Sequence, residues 1–374
     1  MRTVASDGPA WIDGATATLD EAVAEAARLL MASRQPLIAG LGADVEGARA
    51  AILLAERLGG VVEHSQSETV LRDLDCLRET GVMVTTPNEA RVRADVLLMV
   101  GDGLEEAWPA LNDRLLRAPA RPHGEDVARR VVWLAPEADS VMRGVDGGAD
   151  ILVAGRGTTL AANLAVLRAR VKGRRIVDAS VELERLDAIA ATLKSAHFGV
   201  AIWTAASLGA LEIEMLNGLV RDLNETTRFS GLPLAAPENA AGVMEVCGWM
   251  TGFPMRTGFG GGAPTHDPWR FDVARLIAGR EADCVMWISA FGARPPDWGD
   301  AIQVALCDRA TVMNKAPKVR IEVARPGVDH DAVLHSADTG TLVAVDQSAA
   351  PLRRAPSVAE ALARIAQRLQ DASA

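Results

Sequence analysis

The chain has 374 residues, 49% hydrophobic and 24% charged, with a formal net charge of -10. That balance describes a folded globular protein, and the length leaves room for two cores. The acidic excess excludes bulk attraction to nucleic acid or to an anionic membrane surface, and no apolar run approaches the roughly 20 residues that span a bilayer. The opening MRTVASDGPAWIDG lacks the apolar core of a secretion signal, so a cytoplasmic protein is expected. The cysteines at 76, 247, 284 and 307 form no CxxC pair. Neither a zinc ribbon nor an iron–sulfur ligand run is indicated, and buried reduced thiols are expected.

In chain order, Thr18-Leu19-Asp20-Glu21 opens an apolar-periodic run as a capping box, predicting a helix that ends near Ser33. PLIAGLG then reads as a strand, VEGARAAILLAERLGG as a helix and VVEH as a second strand, a β-α-β unit that demands a parallel sheet. RADVLLMVGDG, RRVVWLAP and ADILVAG are further short buried strands, and ELERLDAIAATLKSA is a helix. The pattern restarts with FGVAIWTAASLG, the helix ALEIEMLNGLVRDLNE, and the strands EADCVMWISAFG and AIQVALCD. The spacing predicts an α/β protein of two doubly wound, Rossmann-like lobes related by internal duplication. The expected lobes are 1–190 and 191–325, followed by a C-terminal extension, 326–374. Ligands in such sheets bind in crevices at the carboxyl ends of the strands.

Several motifs carry competing readings. Gly40-Leu41-Gly42 begins a dinucleotide fingerprint, but Val45 replaces its last glycine, which leaves a tight turn as the alternative. Ser207, in Ala205-Ala206-Ser207-Leu208-Gly209, sits where a nucleophile elbow would, or it caps the following helix. The histidines at 64, 123, 197, 266, 330 and 335 are scattered, and Asp329-His330-Asp331 with His335 reads as a solvated loop in preference to a metal site. Glu63-His64-Ser65-Gln66-Ser67-Glu68 follows a strand, either as acid–base groups facing a cleft or as a polar connector. The stretch WMTGFPMRTGFGGGAPTHDPW, 249–269, has no regular period. Gly260, Gly261 and Gly262 free its backbone to approach a ligand, while Arg256, His266 and Arg270 supply positive charge, so ligand or subunit contact is expected of it.

NGLVRDLNETTRFSGLPL and AAGVMEVCGWMTGFPMRTGFGGGAPTHDPWRFDVARLIAGREADCVMWISAFG resemble the B subunit of formylmethanofuran dehydrogenases, in the molybdopterin or tungstopterin oxidoreductase superfamily. The shared order is a helix, a strand, a W-x-T-G-F/Y-P loop, a proline- and aromatic-bearing segment and an apolar strand. TLDEAVAEAARLLMASRQPLIAG and the segment from GGVVEHSQ to RADVLLMVGDG look like that family's first pterin-binding half. The departures are in the redox parts. The resemblance would call for an N-terminal cysteine cluster holding a [4Fe–4S] centre, and for a metal-ligating cysteine in the loop after the second strand. Here that loop reads Glu63 to Val70 with no cysteine before Cys76.

A soft thiolate is what such metals require. The resemblance therefore narrows to the B subunit of the bacterial formyltransferase/hydrolase complex, and the tail GVDHDAVLHSADTGTLVAVDQSAAPLRRAPSVAEALARI fits that branch. It implies a non-catalytic chain with no catalytic residue, no metal and no cofactor of its own. The expected partners are a formyltransferase, an amidohydrolase-like hydrolase and a further formylmethanofuran dehydrogenase-like subunit. Together these convert formyl-tetrahydromethanopterin to formate through a methanofuran-like carrier, methylofuran, in one-carbon oxidation. Carriers of that class bear polyglutamate tails, so Arg256, Gly260, Gly261, His266, Arg270 and Arg294 are the expected carrier contacts. The alternatives are an active tungsten- or molybdenum-dependent formylmethanofuran dehydrogenase subunit and a free-standing small-molecule binding protein.

Overall fold

The computed structural model describes residues 9–121, 124, 126–134, 150–154, 159–176, 183–348 and 355–372. His123 and the tail stretch 349–354 lie outside the described residues. In chain order the elements begin with β1 (Ala10–Ile12), β2 (Ala15–Ala17), α1 (Leu19–Ala32), β3 (Pro36–Gly42), α2 (Val45–Leu58), β4 (Val61–Val62), α3 (Ser67–Thr80), α4 (Pro87–Arg93) and β5 (Val96–Val100). They continue with α5 (Leu104–Ala107), β6 (Arg130–Leu134), β7 (Asp150–Ala154), α6 (Leu160–Val171), α7 (Leu183–Lys194), β8 (Gly199–Trp203), α8 (Ala210–Leu223), β9 (Phe229–Pro233) and α9 (Ala240–Thr251). Last come β10 (Thr257–Gly258), β11 (Thr265–His266), α10 (Val273–Ala278), β12 (Cys284–Ser289), β13 (Ile302–Cys307), β14 (Val319–Glu322), β15 (Ala332–Ser336), β16 (Thr341–Val345) and α11 (Val358–Asp371).

The helix starts follow their local chemistry. At α1 the Thr18 side chain accepts from the Glu21 amide while Glu21 reaches back to Thr18, the capping box legible in the sequence. Asp44 caps α2 through the Gly47 amide at 2.9 Å, and Gly59 ends it in left-handed backbone. β1 and β2 form a hairpin whose two-residue turn, Asp13-Gly14, has positive φ at both positions, the twist a tight hairpin needs.

The chain forms two units. The first comprises residues up to 71, 237–335 and those from 342 onward; the second comprises 72–236 with 336–341. The first holds a nine-stranded sheet in the order β11-β10-β4-β3-β12-β13-β14-β1-β2. Its strands from β4 to β14 are parallel, and the edges add antiparallel hairpins. The second unit holds the parallel sheet β7-β6-β5-β8-β9.

Both sheets are covered on both faces, which is why their strands read as continuous apolar runs. In β3, Ile38 joins a core with α1, α2, α9 and α11, whereas Leu37 and Ala39 face the smaller cluster of Phe271, Val273 and Trp287. In β5, Val96, Leu98 and Val100 pack with α6, α7 and α8, and Leu97 and Met99 with Trp108, Leu111 and Leu115. No described helix is long and apolar enough to cross a membrane.

The division corrects the expected boundaries. The span 1–190 contributes β3 to one sheet and β5 to the other, and 191–325 does the same with β12 and β8. The chain leaves the first sheet after β4, builds the second whole and returns, so one unit is assembled inside an interruption of the other. The polar connector after β4 is also shorter than expected, because α3 begins at Ser67.

Candidate functional site

Strand register brings the two polar stretches singled out in the sequence together. β10 pairs antiparallel with β4, Thr257 opposite Val62, so the preceding Arg256 falls beside the following Glu63. Arg256 Nε lies 2.7 Å from Glu63 Oε1, and the same guanidinium meets Asp272 at 2.7 Å and Glu68 at 3.3 Å. Its remaining edge donates to the Pro268 carbonyl at 2.8 Å. Glu63 Oε2 accepts from the Val273 amide at 2.6 Å, which anchors the start of α10. Both partners are buried. Burial works against the charge on Arg256, but Glu63, Asp272 and Glu68 outweigh it and hold the group above its ordinary value. Burial pushes the Glu63 carboxyl up, with Arg256 and the Val273 amide pulling the other way.

Arg256 itself has φ +60°, strained backbone for a side-chain-bearing residue. Its fork is engaged inside the chain, where it braces 256–273. The 249–269 stretch is ordered rather than irregular: α9 runs to Thr251, and β10 and β11 form a hairpin. Gly260, Gly261 and Gly262 are exposed at its tip, and a side chain added at Gly261 would meet nothing.

His266 pairs opposite Thr257, with Nδ1 3.1 Å from the Arg256 carbonyl and its ring stacked on Phe253 at 6.1 Å. Arg270 is exposed, 5.3 Å above the Phe271 ring. Arg294 is exposed on the loop after β12, where Asn314 accepts from its Nε at 2.7 Å. Missed in the sequence were the bare aromatics beside this hairpin. Trp249 is 63% exposed, Phe253 38% and Trp269 70%, the last under the Arg275 guanidinium at 4.4 Å.

A second cluster lies at the carboxyl ends of β3 and β12. His64 is buried; its Nε2 donates to the Glu238 carbonyl at 3.0 Å and its Nδ1 accepts from the Gln66 amide at 3.0 Å. Those partners fix the neutral ring, and burial pushes its pKa down to about 4. Glu238 Oε2 accepts from the Ser289 hydroxyl at 2.6 Å, and burial raises its carboxyl above the ordinary range. Glu238 and Asn239 have φ +60° and +58°, adjacent left-handed residues that cost on the order of 1–3 kcal/mol each. Asn239 offsets part of this by donating to the Ala43 carbonyl at 2.8 Å and accepting from the His335 amide at 2.9 Å. Ser289, a polar residue ending an apolar strand, was the available sequence signal for this cluster.

The other motifs resolve plainly. Gly40, at φ +78°, is required by the strands themselves, since a Cβ there would lie 2.6 Å from the Ile288 carbonyl oxygen. Ser207 donates to the Thr204 carbonyl at 3.2 Å and does not cap α8, whose cap is Gly209, so the capping reading is corrected. His330 Nδ1 contacts the Asp331 carbonyl at 2.7 Å, and the Asp331 side chain accepts from the Gln347 amide. Among the described residues no group of three His, Cys, Asp or Glu side chains is placed to hold a metal ion.

The loop after β4 is where the resemblance would put a tungsten or molybdenum ligand, and its donors do not fit one. Both oxygens of Glu63 and both ring nitrogens of His64 are engaged by the chain, and Ser67 Oγ accepts from the His64 amide at 3.0 Å. Cys76, the next thiol, lies within α3, 3.8 Å from the Ala210 carbonyl, with burial pushing its pKa up. The loop itself supplies no soft thiolate.

No protein-family model matches the chain. It is 35% identical over 367 residues to the B subunit of the formyltransferase/hydrolase complex of Methylorubrum extorquens, covering 97% of each. The B subunit of a tungsten-containing formylmethanofuran dehydrogenase 2 from Methanocaldococcus jannaschii is more distant, 27% identical over 72% of this chain and 64% of that protein. The counterpart from Methanococcus maripaludis is 28% identical over 67% and 59%. Among solved structures, a chain of the formyltransferase/hydrolase complex of Methylorubrum extorquens, crystallised with methylofuran, matches with a TM-score of 0.84 and 34% identity, covering 97% of this chain and 99% of that one. With nearly its whole length matched at that identity, the chain belongs to the family of B subunits of formyltransferase/hydrolase complexes.

Proposed function

We propose that this chain is a non-catalytic, metal-free subunit of a cytoplasmic formyltransferase/hydrolase complex, serving as scaffold and as part of the surface over which a methanofuran-type carrier passes. The observation that carries the reading is the loop after β4, whose Glu63 carboxylate, His64 imidazole and Ser67 hydroxyl are committed to holding the fold. A group already satisfied within the chain has nothing left to offer a metal or a reacting atom. The catalytic steps then belong to partners of the formyltransferase and amidohydrolase-like kinds. In the same reading the two five-stranded parallel sets derive from one duplicated doubly wound unit.

Purification of the chain from its native cells, with stoichiometry of the co-eluting chains and elemental analysis, tests this. A formyltransferase and a hydrolase at fixed ratio with no tungsten or molybdenum is expected; stoichiometric tungsten or molybdenum would overturn it in favour of an active pterin enzyme. For the carrier, the exposed Arg270 and Arg294 remain as candidates, with Gly260, Gly261 and His266 as neighbours on the hairpin. Their guanidinium groups suit the carboxylates of a polyglutamate tail, against a background charge of -10. Replacing both by alanine is expected to lower carrier retention by the complex at least tenfold, and unchanged retention would remove them from the surface.

A further inference from the structure

Open parallel sheets bind ligands where the strand order reverses, because the loops leave that point in opposite directions and open a crevice. In the first unit the parallel strands run β4-β3-β12-β13-β14, so the reversal falls between β3 and β12. The crevice is built, with Gly42 ending one strand and Ser289 the other. Ser289 Oγ gathers two amides of the following turn, from Gly292 at 3.1 Å and Ala293 at 2.8 Å. Those bonds orient the hydroxyl and leave its proton for an acceptor in the crevice, and an oriented hydroxyl beside a turn of backbone amides is ordinary equipment for holding an anion.

The side chain of Glu238 already stands there. Its Oε2 takes the Ser289 hydroxyl at 2.6 Å, and a Cβ built on Gly42 would lie 2.3 Å from the same oxygen. The carboxylate also feels the Ala293 amide and the charge of Arg325, with Asp308 as the opposing carboxylate. It is brought in by left-handed backbone at 238 and 239, and pinned from behind by His64 on the Glu238 carbonyl and by Asn239 on Ala43. Strained backbone persists only where its surroundings over-determine it, and here everything that fixes the strain also aims this one carboxylate.

We propose that Glu238 is an internal ligand whose carboxylate occupies the anion position of the β3/β12 crevice, shutting out the phosphate-bearing small molecules that such a crevice takes. The test replaces Glu238 by glycine, which accepts φ +60° without strain and removes the carboxylate. Inorganic pyrophosphate is the probe, and hydrogen exchange of the peptide spanning 289–293, followed by mass spectrometry on the full chain with its co-purifying subunits, is the readout. Millimolar pyrophosphate is expected to slow exchange of that peptide at least tenfold in the Glu238→Gly chain and to leave the wild type unchanged. Adding Ser289→Ala to the glycine variant should abolish the effect. Should the glycine variant not fold, Glu238→Asn, shorter, neutral and tolerant of left-handed backbone, carries the same expectation. A wild-type peptide that responds as strongly as the variant's, or a folded variant that does not respond, overturns the proposal.

Discussion

His64 shows how burial fixes a protonation state. With the pKa of the folded ring pushed down to about 4 from 6.5, the unfolded chain binds a proton below pH 6.5 that the folded chain refuses until about pH 4. The stability this ring contributes is therefore complete above pH 6.5 and declines as the pH falls toward 4, by about 3 kcal/mol at most. Asp73 has the opposite sign: burial, working against its bond from Trp203 and the charge of Arg72, lifts its carboxyl from 3.8 to about 6, so the folded chain gains stability over part of the same range. The wild-type curve mixes the two. In urea titrations, the difference between wild type and His64→Gln should shrink steadily from pH 6.5 to 4.5, and a constant difference would show that the ring titrates normally. Arg256 supplies the second residue-scale expectation. Arg256→Met removes a buried cation from three carboxylates and is expected to cost about 3–5 kcal/mol in urea unfolding. Arg256→Met combined with Glu63→Gln should recover part of that loss.

Elements are where the sequence was most legible, and the reason is local chemistry. Thr18 with Glu21, the apolar period of 45–58 and the run 96–100 act within a few residues, so α1, α2 and β5 stand where they were expected. Thr18→Ala, which removes one half of the α1 box, should cost about 1 kcal/mol in thermal or urea unfolding. An effect near zero would mean that packing of α1 alone fixes its start. What escaped was set by partners distant in sequence. β10 and β11 are two-residue strands, too short for any period, and exist because Val62 offers an edge to Thr257. The same pairing puts Arg256 beside Glu63, so a residue that looked like a free cation is a buried brace. Glu238 carries no motif at all, since its role depends on the left-handed backbone and on Ser289 far along the chain.

At the scale of the whole molecule, alternation of strands and helices pointed to parallel strands but not to which sheet each would join. Every buried strand has much the same apolar face, so pairing is decided by topology, and here the chain completes one sheet inside an interruption of the other. Fragments separate the two descriptions. A chain cut after residue 190 keeps β5, β6 and β7 but loses β8 and β9, which leaves Val96, Leu98 and their neighbours without half their cover. It should be unfolded or aggregated, since an open edge of apolar strand is a template for association. The fragment 72–236 keeps all five strands of that sheet and both of its cores. It lacks only 336–341, and with it Asp338, which accepts from Trp108 Nε1 at 2.6 Å and pairs with Arg114 at 3.2 Å. It should therefore fold alone, with native-like circular dichroism and a cooperative urea transition. Trp108→Phe should cost the fragment about 1 kcal/mol less than it costs the full chain, because in the fragment the partner of the indole N–H is already gone. A fragment 72–236 that stays unfolded beside a folded 1–190 would mean that the boundary expected at 190, and not the division between the sheets, separates the folding units.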